Sequence, residues 1–344
     1  MLLHLDTDLG GDPDDACALA MLLGWPGAEI RAVTTTIDPG GARAGCVEHI
    51  LGLAGREDIP VIAGAAASTT QRQPLWPATD DPCYWPASMP ARPSPPGAAV
   101  KALECSIDLG ATIVAIGPYT NLAMLESLRP GTLGRADIVV MGGWVDPPAA
   151  GLPPWGPEKD WNVQWDTRAA EVVLATAGRL TLATYPATLA AWVRSRDVPR
   201  LRASGPLGQL LARQSEARAA DTGMLALGKA HDGLPDDLLN FHYDPVTCAV
   251  ALRWPGAVTE LRRLRTIIEG GVLRCAADEN GRQVSVVTTV DGEAFAQTWL
   301  AAVEAADACG SLTHGTPDGG MGRRQAGRQS GQRPSRSSRC SVTS

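Results

Sequence analysis

The feature that most constrains the fold is an alternation between short apolar or β-branched runs and longer segments of helical character. Residues 2–5 and 30–36 form the first two runs, and residues 16–23 between them have the composition of a helix. Short apolar runs joined by helices are typical of parallel strands that are covered on both faces. The alternation therefore predicts an α/β fold with an open, mostly parallel central sheet flanked by helices.

The alternation continues along most of the chain. We expect further strands at residues 60–62, 111–116, 138–141 and 180–184, and a late strand pair at 259–268 and 284–289. We expect helices at 42–54, 98–109, 121–128 and 167–176, a mostly helical C-terminal portion over 187–252, and a closing helix at 292–303. Two proline-rich segments, 64–97 and 144–158, interrupt the pattern and predict long loops, which in compact domains are usually functional.

The last part of the chain differs in composition from the rest. Residues 309–344 are rich in Gly, Ser, Gln and Arg, with six Arg, one Asp and few large apolar side chains. Such a segment cannot bury enough apolar surface to offset the entropy of ordering, so we predict a disordered tail after an α/β domain over 1–308. A nucleic-acid-binding arm is the alternative, but no aromatic side chains are interleaved with the Arg residues.

Overall composition narrows the range of partners. The chain has 344 residues, of which 44% are hydrophobic, and is long enough to bury a large core. A net charge of −7 gives no general attraction to nucleic acid or anionic membranes, so we expect neither as a partner. No membrane-length apolar run and no leader segment are visible. Eight scattered cysteines without a CxxC pair fit a reducing, cytoplasmic location.

An acidic, glycine-containing turn lies between the first predicted strand and the first predicted helix. It holds five carboxylates within ten residues: Asp6, Asp8, Asp12, Asp14 and Asp15. Clustered carboxylates repel one another unless a cation lies between them, and calcium accepts six to eight oxygen ligands in flexible geometry. An acidic helix N-terminus is the alternative, and it explains Asp12 or Asp14 better than Asp6 and Asp8.

Several segments resemble one known family in the same order along the chain. DTDLGGDPDDACALAMLL (6–23) is similar to the N-terminal signature of the inosine-uridine-preferring nucleoside hydrolase family. The further similar segments are AVTTTID (32–38), IPVIAGA (59–65), ATIVAIGPYTNLA (111–123), VMGG (140–143), KDWNVQWDTRAA (159–170) and HYDPVTCAVAL (242–252). The resemblance spans about residues 2–305. It implies a calcium-dependent hydrolase of nucleosides that acts in purine or pyrimidine salvage as a homodimer or homotetramer.

The resemblance also implies roles for individual residues. The calcium ligands it implies are Asp8, Asp15, the main-chain carbonyl of Thr120, and Asp244, with Asp6 as a supporting acid. The ribose contacts it implies are Asp14, Asp160, Trp161 and Asn162. Calcium would polarise a water molecule, and Asp8 would take its proton as the water attacks the anomeric carbon. Nearby carboxylates would stabilise the oxocarbenium-like transition state, and the products would be ribose and a free purine or pyrimidine base.

The chain departs from the family pattern at several positions. Two extra residues in the first turn make Asp12 an additional carboxylate, and Asp38 occupies the region of a family asparagine. Tyr243 stands where the family has a histidine, so activation of the leaving base falls to Tyr243, to the neighbouring His242 or to a group elsewhere in the chain. His231, in a predicted loop, is a further candidate for contact with the base.

Two alternatives remain open from the sequence. One is a non-catalytic nucleoside- or ribose-binding relative, which the departures motivate. The other is a haloacid-dehalogenase-type phosphatase with Asp6 as nucleophile and Asp8 as acid, which also uses a DxD segment after a buried strand. Gly10 and the Asp14-Asp15 pair argue against the phosphatase. Base preference depends on the loops at 64–97 and 220–243.

Overall fold

The computed structural model describes residues 1–71 and 81–313, and within them a nine-stranded sheet forms the centre of the fold. Its strands in spatial order are β10 (Val272–Ala277), β9 (Ala257–Glu269), β11 (Arg282–Val290), β6 (Arg179–Ala183), β5 (Asp137–Met141), β4 (Thr112–Ala115), β1 (Leu2–Thr7), β2 (Glu29–Thr35) and β3 (Val61–Ala63). The run from β11 to β3 is parallel, and β9 and β10 add an antiparallel edge. A separate antiparallel pair consists of β7 (Trp192–Arg194) and β8 (Leu238–Phe241).

Helices cover both faces of this sheet. They are α1 (Asp14–Gly24), α2 (Ala42–Leu53), α3 (Ala98–Asp108), α4 (Thr120–Leu128), α5 (Trp161–Trp165), α6 (Thr167–Thr176), α7 (Tyr185–Thr188), α8 (Val198–Ser204), α9 (Pro206–Thr222), α10 (Met224–Ala230), α11 (Tyr243–Ala251) and α12 (Gly292–Thr313). In the described parts of the chain, none of these helices combines the length and apolar character needed to cross a bilayer.

Strand β1 shows how the sheet separates two cores. Leu3 and Leu5 are fully buried in the core that also contains α1, α11 and α12. His4 faces the opposite side, where its ring nitrogens lie 2.7 Å from Ser106 Oγ and 3.0 Å from Thr34 Oγ1. Burial, followed by the charge of Arg31, lowers the pKa of His4 to about 3. The strand therefore carries a neutral, hydrogen-bonded histidine inside the second layer.

The α/β fold with a mostly parallel sheet is confirmed, and most predicted elements lie within a few residues of their observed bounds. The predicted mostly helical portion also contains β7 and β8. Along the chain, β10 lies between the two members of the late strand pair, and in the sheet it forms the edge beside β9. These strands are short or lie at the sheet edge, where the pattern of buried residues is weak. Helix α12 continues to Thr313, so residues 309–313 are helical and not disordered. The rest of the predicted tail, 314–344, and residues 72–80 of the proline-rich loop lie outside the described residues.

Topology brings the predicted motifs to one edge of the sheet. β1, β4 and β5 are parallel neighbours, so the segments that follow them leave the sheet at the same end. Those segments are the acidic turn, the start of α4 and the Gly142-Gly143 pair. Crevices outside the carboxyl ends of strands are the usual ligand sites of open α/β sheets.

Candidate active site

Three buried carboxylates form the centre of the site. Asp14 and Asp15 begin α1, and Asp244 lies in the first turn of α11. One carboxylate oxygen from each lies within 4.8 Å of the other two. Burial, followed by the neighbouring acidic groups, raises the pKa of each of these carboxyls well above its usual range. An all-oxygen set of this kind fits a hard divalent cation, whose charge would remove the repulsion.

Asp8 lies beside this group and lines the same cavity. Trp161 Nε1 donates a hydrogen bond of 3.4 Å to Asp8 Oδ2, and Arg43 Nη1 donates to the main-chain carbonyl of Asp8. Burial raises the pKa of the Asp8 carboxyl, and the charge of Arg43 partly opposes that effect. Asp8 therefore combines access to the cavity with a fixed backbone position.

The Arg43 side chain was not anticipated from the sequence. Only 2% of Arg43 is exposed, and it lines the cavity at the acidic turn. Its Nε donates to the Ile37 carbonyl at 2.9 Å, and its Nη1 donates to the Leu9 carbonyl at 3.2 Å. The guanidinium thus ties the turn after β1 to the loop after β2.

Asp38, which the sequence offered as a possible additional site residue, does not line the cavity. Its oxygens accept hydrogen bonds from Thr35 Oγ1 at 2.6 Å, Arg43 N at 2.9 Å and Ala44 N at 3.1 Å. These bonds satisfy main-chain donors at the start of α2. The structure gives Asp38 a supporting role at this helix end.

The cavity has a volume of about 480 Å³, and both carboxylates and aromatic side chains line it. Besides the acidic residues, the lining includes Trp155, Tyr185, Arg218, Met224 and Tyr243. The rings of Tyr185 and Tyr243 stack with centroids 5.5 Å apart at 21°, and Trp155 stacks on Tyr185 at 6.3 Å and 25°. Such a wall can stack against a flat heterocycle.

In the DWN segment, residues 160–162, two residues line the cavity and the third supports the backbone around it. Trp161 is 47% exposed, stacks on Trp165 and lines the cavity. Asn162 also lines it, and its Nδ2 donates to the Ile116 carbonyl at 2.9 Å. Asp160 is fully buried and does not line the cavity. Its oxygens accept from Gly143 N at 2.6 Å and Val163 N at 3.3 Å, and burial raises its pKa to about 7.

Close packing around Asp160 explains the glycine pair after β5. Gly142 has a φ of +131°, and a Cβ at this position would lie 2.6 Å from the Tyr119 hydroxyl and 3.1 Å from Asp160 Oδ1. Any larger residue would have to displace one of these groups. Asp160 therefore fixes the backbone that carries the site instead of contacting a ligand in the cavity.

Of the two histidines proposed as site residues, neither lines the cavity. His242 is fully buried, with its ring 4.4 Å from that of Trp299 and 5.3 Å from that of Phe295, and neither ring nitrogen has a partner among the described residues. Burial lowers its pKa to about 3. His231 follows the last turn of α10, away from the cavity lining. His242 is therefore a core residue, because the first turn of α11 points it at α12.

Asp6 and Asp12 are both engaged by protein groups. Asp6 is fully buried outside the cavity lining, and its Oδ1 accepts from Thr34 Oγ1 and from Asn121 Nδ2. Burial raises its pKa to about 7. A residue so enclosed cannot serve as the nucleophile of a phosphatase, which argues against that alternative. Asp12 lines the cavity, and Arg218 Nη2 lies 2.7 Å from its Oδ2.

Thr120 begins α4 at the carboxyl end of β4, and its side chain is held away from the cavity. Its hydroxyl donates to Asp166 Oδ2 at 2.7 Å. Asp166 also accepts from the main-chain and side-chain donors of Thr69, at 2.7 and 2.6 Å. This arrangement fixes the first turn of α4 beside the acidic turn.

Comparison with known proteins identifies the family of this chain. Residues 3–297 match the model of the family described as inosine-uridine preferring nucleoside hydrolase. The chain is 30% identical over 231 residues to the pyrimidine-specific ribonucleoside hydrolase RihA of Salmonella agona, an alignment that covers 62% of this chain and 70% of that protein.

Solved structures share the fold. A plant nucleoside hydrolase, PpNRh1, superposes with a TM-score of 0.72 at 21% identity, covering 88% of this chain and 98% of that one. The purine-preferring ribonucleoside hydrolase from Gardnerella vaginalis gives a TM-score of 0.71 at 19% identity, covering 88% and 99%. The family model extends over nearly the whole described domain. The chain therefore belongs to the inosine-uridine preferring nucleoside hydrolase family of N-glycosyl hydrolases.

Proposed function

We propose that this protein hydrolyses the N-glycosidic bond of purine or pyrimidine ribonucleosides to ribose and free base. The observation that carries the proposal is the group of Asp14, Asp15 and Asp244 in a cavity that aromatic side chains also line. The carboxylates suit ribose and its reacting carbon, and the flat aromatic rings suit the base. A cavity of about 480 Å³ accommodates a ribonucleoside of either class.

The group of carboxylates has the chemistry of a cation site, and we infer that calcium occupies this site. The residues that would hold the ion are Asp8, Asp15, Asp244 and the main-chain carbonyl of Thr120, with Asp14 close enough to share it or to bind the ribose hydroxyls. Oxygen ligands from carboxylates and carbonyls are those that calcium prefers. When bound, the cation would acidify a water molecule and help to orient the sugar.

The chain's own groups account for the remaining steps. Asp8 faces the cavity and acts as the base that takes a proton from the attacking water. The carboxylates beside it stabilise the positive charge that develops on the sugar ring as the bond to the base breaks. Trp161 covers the cavity at Asp8, and Asn162, with its amide held by the Ile116 carbonyl, positions the ribose.

Tyr243 takes the place of a histidine near the leaving base. Its hydroxyl lies in the cavity wall, and burial raises its pKa well above the usual range, so that it remains protonated. We assign it as a hydrogen-bond donor to the departing base, which then takes a proton from solvent water. This arrangement allows bond cleavage without a histidine in the cavity.

The test is ribose release from a panel of ribonucleosides, with calcium and after chelation. We expect Asp8→Asn to lower kcat about 10³-fold or more, because a missing base cannot be replaced by its neighbours. Asp108→Asn, which alters an exposed carboxylate on α3 paired with Arg135, is the matched control and should leave kcat unchanged. Ribose release that is unaffected by chelation and by Asp8→Asn contradicts the mechanism.

The same panel separates the alternatives. A non-catalytic binding protein would bind ribonucleosides in calorimetry without releasing ribose, and a phosphatase would hydrolyse nitrophenyl phosphate in preference to nitrophenyl riboside. We also propose a cytoplasmic homodimer or homotetramer, with the exposed Val258 and Leu261 of β9 as apolar surface available for association. Analytical ultracentrifugation measures that state directly, and a monomer at micromolar concentration would contradict it.

A further inference from the structure

The Asp12–Arg218 ion pair lies at the cavity, and the mechanism above does not use it. Asp12 stands in the lengthened turn after β1, and Arg218 lies near the end of α9. Arg218 Nη2 is 2.7 Å from Asp12 Oδ2, and Asn240 Nδ2 donates to Asp12 Oδ1 at 2.6 Å. Because both oxygens of Asp12 are engaged by protein groups, this carboxylate is better suited to holding Arg218 than to binding a cation.

Arg218 has donor capacity that its protein partner does not use. A guanidinium carries five N–H donors, accepts no hydrogen bond, and remains charged at physiological pH. Its Nη2 is taken by Asp12, whereas its Nε has no acceptor among residues 1–71 and 81–313. The side chain nevertheless lines the cavity together with Tyr243 and Met224. A fixed positive charge therefore borders the same cavity as the carboxylate group.

The chemistry of N-glycosidic cleavage requires such a charge at the leaving group. When the bond between C1′ and the base nitrogen breaks, its electron pair stays on the base and spreads to the ring nitrogens and carbonyl oxygens. Electrostatic stabilisation is most effective where fixed donors face the atoms on which charge develops. The carboxylates in the cavity cannot stabilise the leaving group, because their negative charge would repel the departing anion.

We propose that Arg218, held in place by Asp12, is a catalytic residue that donates hydrogen bonds to the departing nucleobase. The proposal rests on the proposed function and assigns its leaving-group site. Water oxygen forms the new bond to C1′, Asp8 takes the water proton, and the C1′–N electron pair goes to the base. Arg218 transfers no proton, and the base anion is neutralised by a proton from solvent water.

The experiment compares a poor with a good leaving group on the same variants. Natural ribonucleosides release a basic anion, whereas nitrophenyl riboside releases a weakly basic phenolate that needs little stabilisation. We expect Arg218→Gln to lower kcat/KM for ribonucleosides about 100-fold and for nitrophenyl riboside less than about fivefold. Arg213→Gln, on the exposed face of the same helix, is the matched control and should change neither value.

Two further variants keep the test decisive if Arg218→Gln folds poorly. Arg218→Lys keeps the charge beside Asp12 but loses the planar fork, so it should lower the ratio of nucleoside to nitrophenyl riboside kcat/KM about tenfold. Asp12→Asn combined with Arg218→Gln should be no worse than Arg218→Gln alone, since the two residues act as one unit.

Three results would overturn the proposal. An equal fall with both substrates in the Arg218 variants would indicate a defect in the sugar or metal site. An unchanged ratio in Arg218→Lys, or additive losses in the double variant, would remove the leaving-group role. The proposed function itself fails in a different way, because the unaltered protein would then release ribose from neither substrate, and both proposals would fall together.

Discussion

His242 and Tyr243 are consecutive in the chain, yet their side chains face opposite sides of the start of α11. The ring of His242 packs 4.4 Å from that of Trp299 in the core, whereas Tyr243 lines the cavity and stacks on Tyr185. Of the two, Tyr243 is therefore the residue that we propose donates a hydrogen bond to the departing base.

This division leads to a paired prediction about activity. Tyr243→Phe removes the hydroxyl and keeps the stacked ring, and we expect it to lower kcat for ribonucleosides about 10- to 100-fold. His242→Phe should stay within about threefold of the unaltered protein, because its ring contacts are apolar and neither nitrogen has a partner among the described residues. Steady-state kinetics on both variants measure the contrast, and the reverse order of losses would contradict the assignment.

Carboxylate repulsion at the centre of the site predicts opposite effects of one substitution with and without a cation. In chelator, Asp244→Asn should raise the thermal unfolding temperature, because it removes one of three buried carboxyls whose ionisation is disfavoured by burial and by the neighbouring acids. With calcium, the unaltered protein should gain about 2.7 kcal/mol of stability at 100 times its Kd, and the variant should gain little. Calorimetric scans check both signs. A variant that keeps the full calcium response would place the cation elsewhere.

The hydrogen bonds of Arg43 predict that replacing this residue lowers the free energy of unfolding strongly, although no sequence motif marks it. Arg43→Met leaves the carbonyls of Asp8, Leu9 and Ile37 without their donor, and we expect a loss of about 3 kcal/mol in the free energy of unfolding. Urea titration gives the value. Arg31→Met, which changes a residue of β2 that is not a lining residue of the cavity, serves as the control, and a loss of the same size there would point to a general charge effect.

The buried His4 predicts a pH dependence of stability. Its pKa is lowered to about 3 in the folded protein, whereas the ordinary value is 6.5, so below pH 6.5 the unfolded chain binds more protons than the folded one. Its contribution is fully present above pH 6.5 and is lost as the pH falls towards 3. At pH 5 the loss from this residue amounts to about 2 kcal/mol.

The measurement for His4 is urea unfolding at pH 7 and pH 5 in the unaltered protein and in His4→Gln. The amide keeps hydrogen-bonding groups for Ser106 and Thr34 without titrating. The drop in stability between the two pH values should therefore be smaller in the variant by about 2 kcal/mol. An equal drop in both proteins would show that His4 is not the titrating group.

Local sequence patterns were sufficient for the parts of the molecule that depend on short-range chemistry. The apolar runs predicted the parallel strands, and the acidic turn predicted a cluster of carboxylates where the first strand ends. These inferences depend on the regular geometry of strand ends and helix starts, which a short stretch of chain largely determines. That Asp244 would join Asp15 was implied only by the resemblance to the family.

The remaining site residues depend on packing between distant elements. Arg43 and Arg218 lie in helices without a recognisable motif, and only the arrangement of α2 and α9 over the first turn brings them to the cavity. The sequence left both His242 and Tyr243 as candidates, and the packing of α11 against α12 decides that Tyr243 lines the cavity and His242 the core. Asp160 was expected to bind ribose, but its carboxylate accepts hydrogen bonds from the main-chain N–H groups of Gly143 and Val163.

The central carboxylates come from opposite ends of the domain, Asp14 and Asp15 from the first helix and Asp244 from the eleventh. In an emerging chain, the proposed cation site is therefore incomplete until α11 has left the ribosome and packed against α1. Closing so long a segment is entropically costly and slow, so tight cation uptake should coincide with the end of folding and not with its beginning. Tight calcium binding would then mark the completion of folding, and a nascent fragment that ends before α11 would not show it.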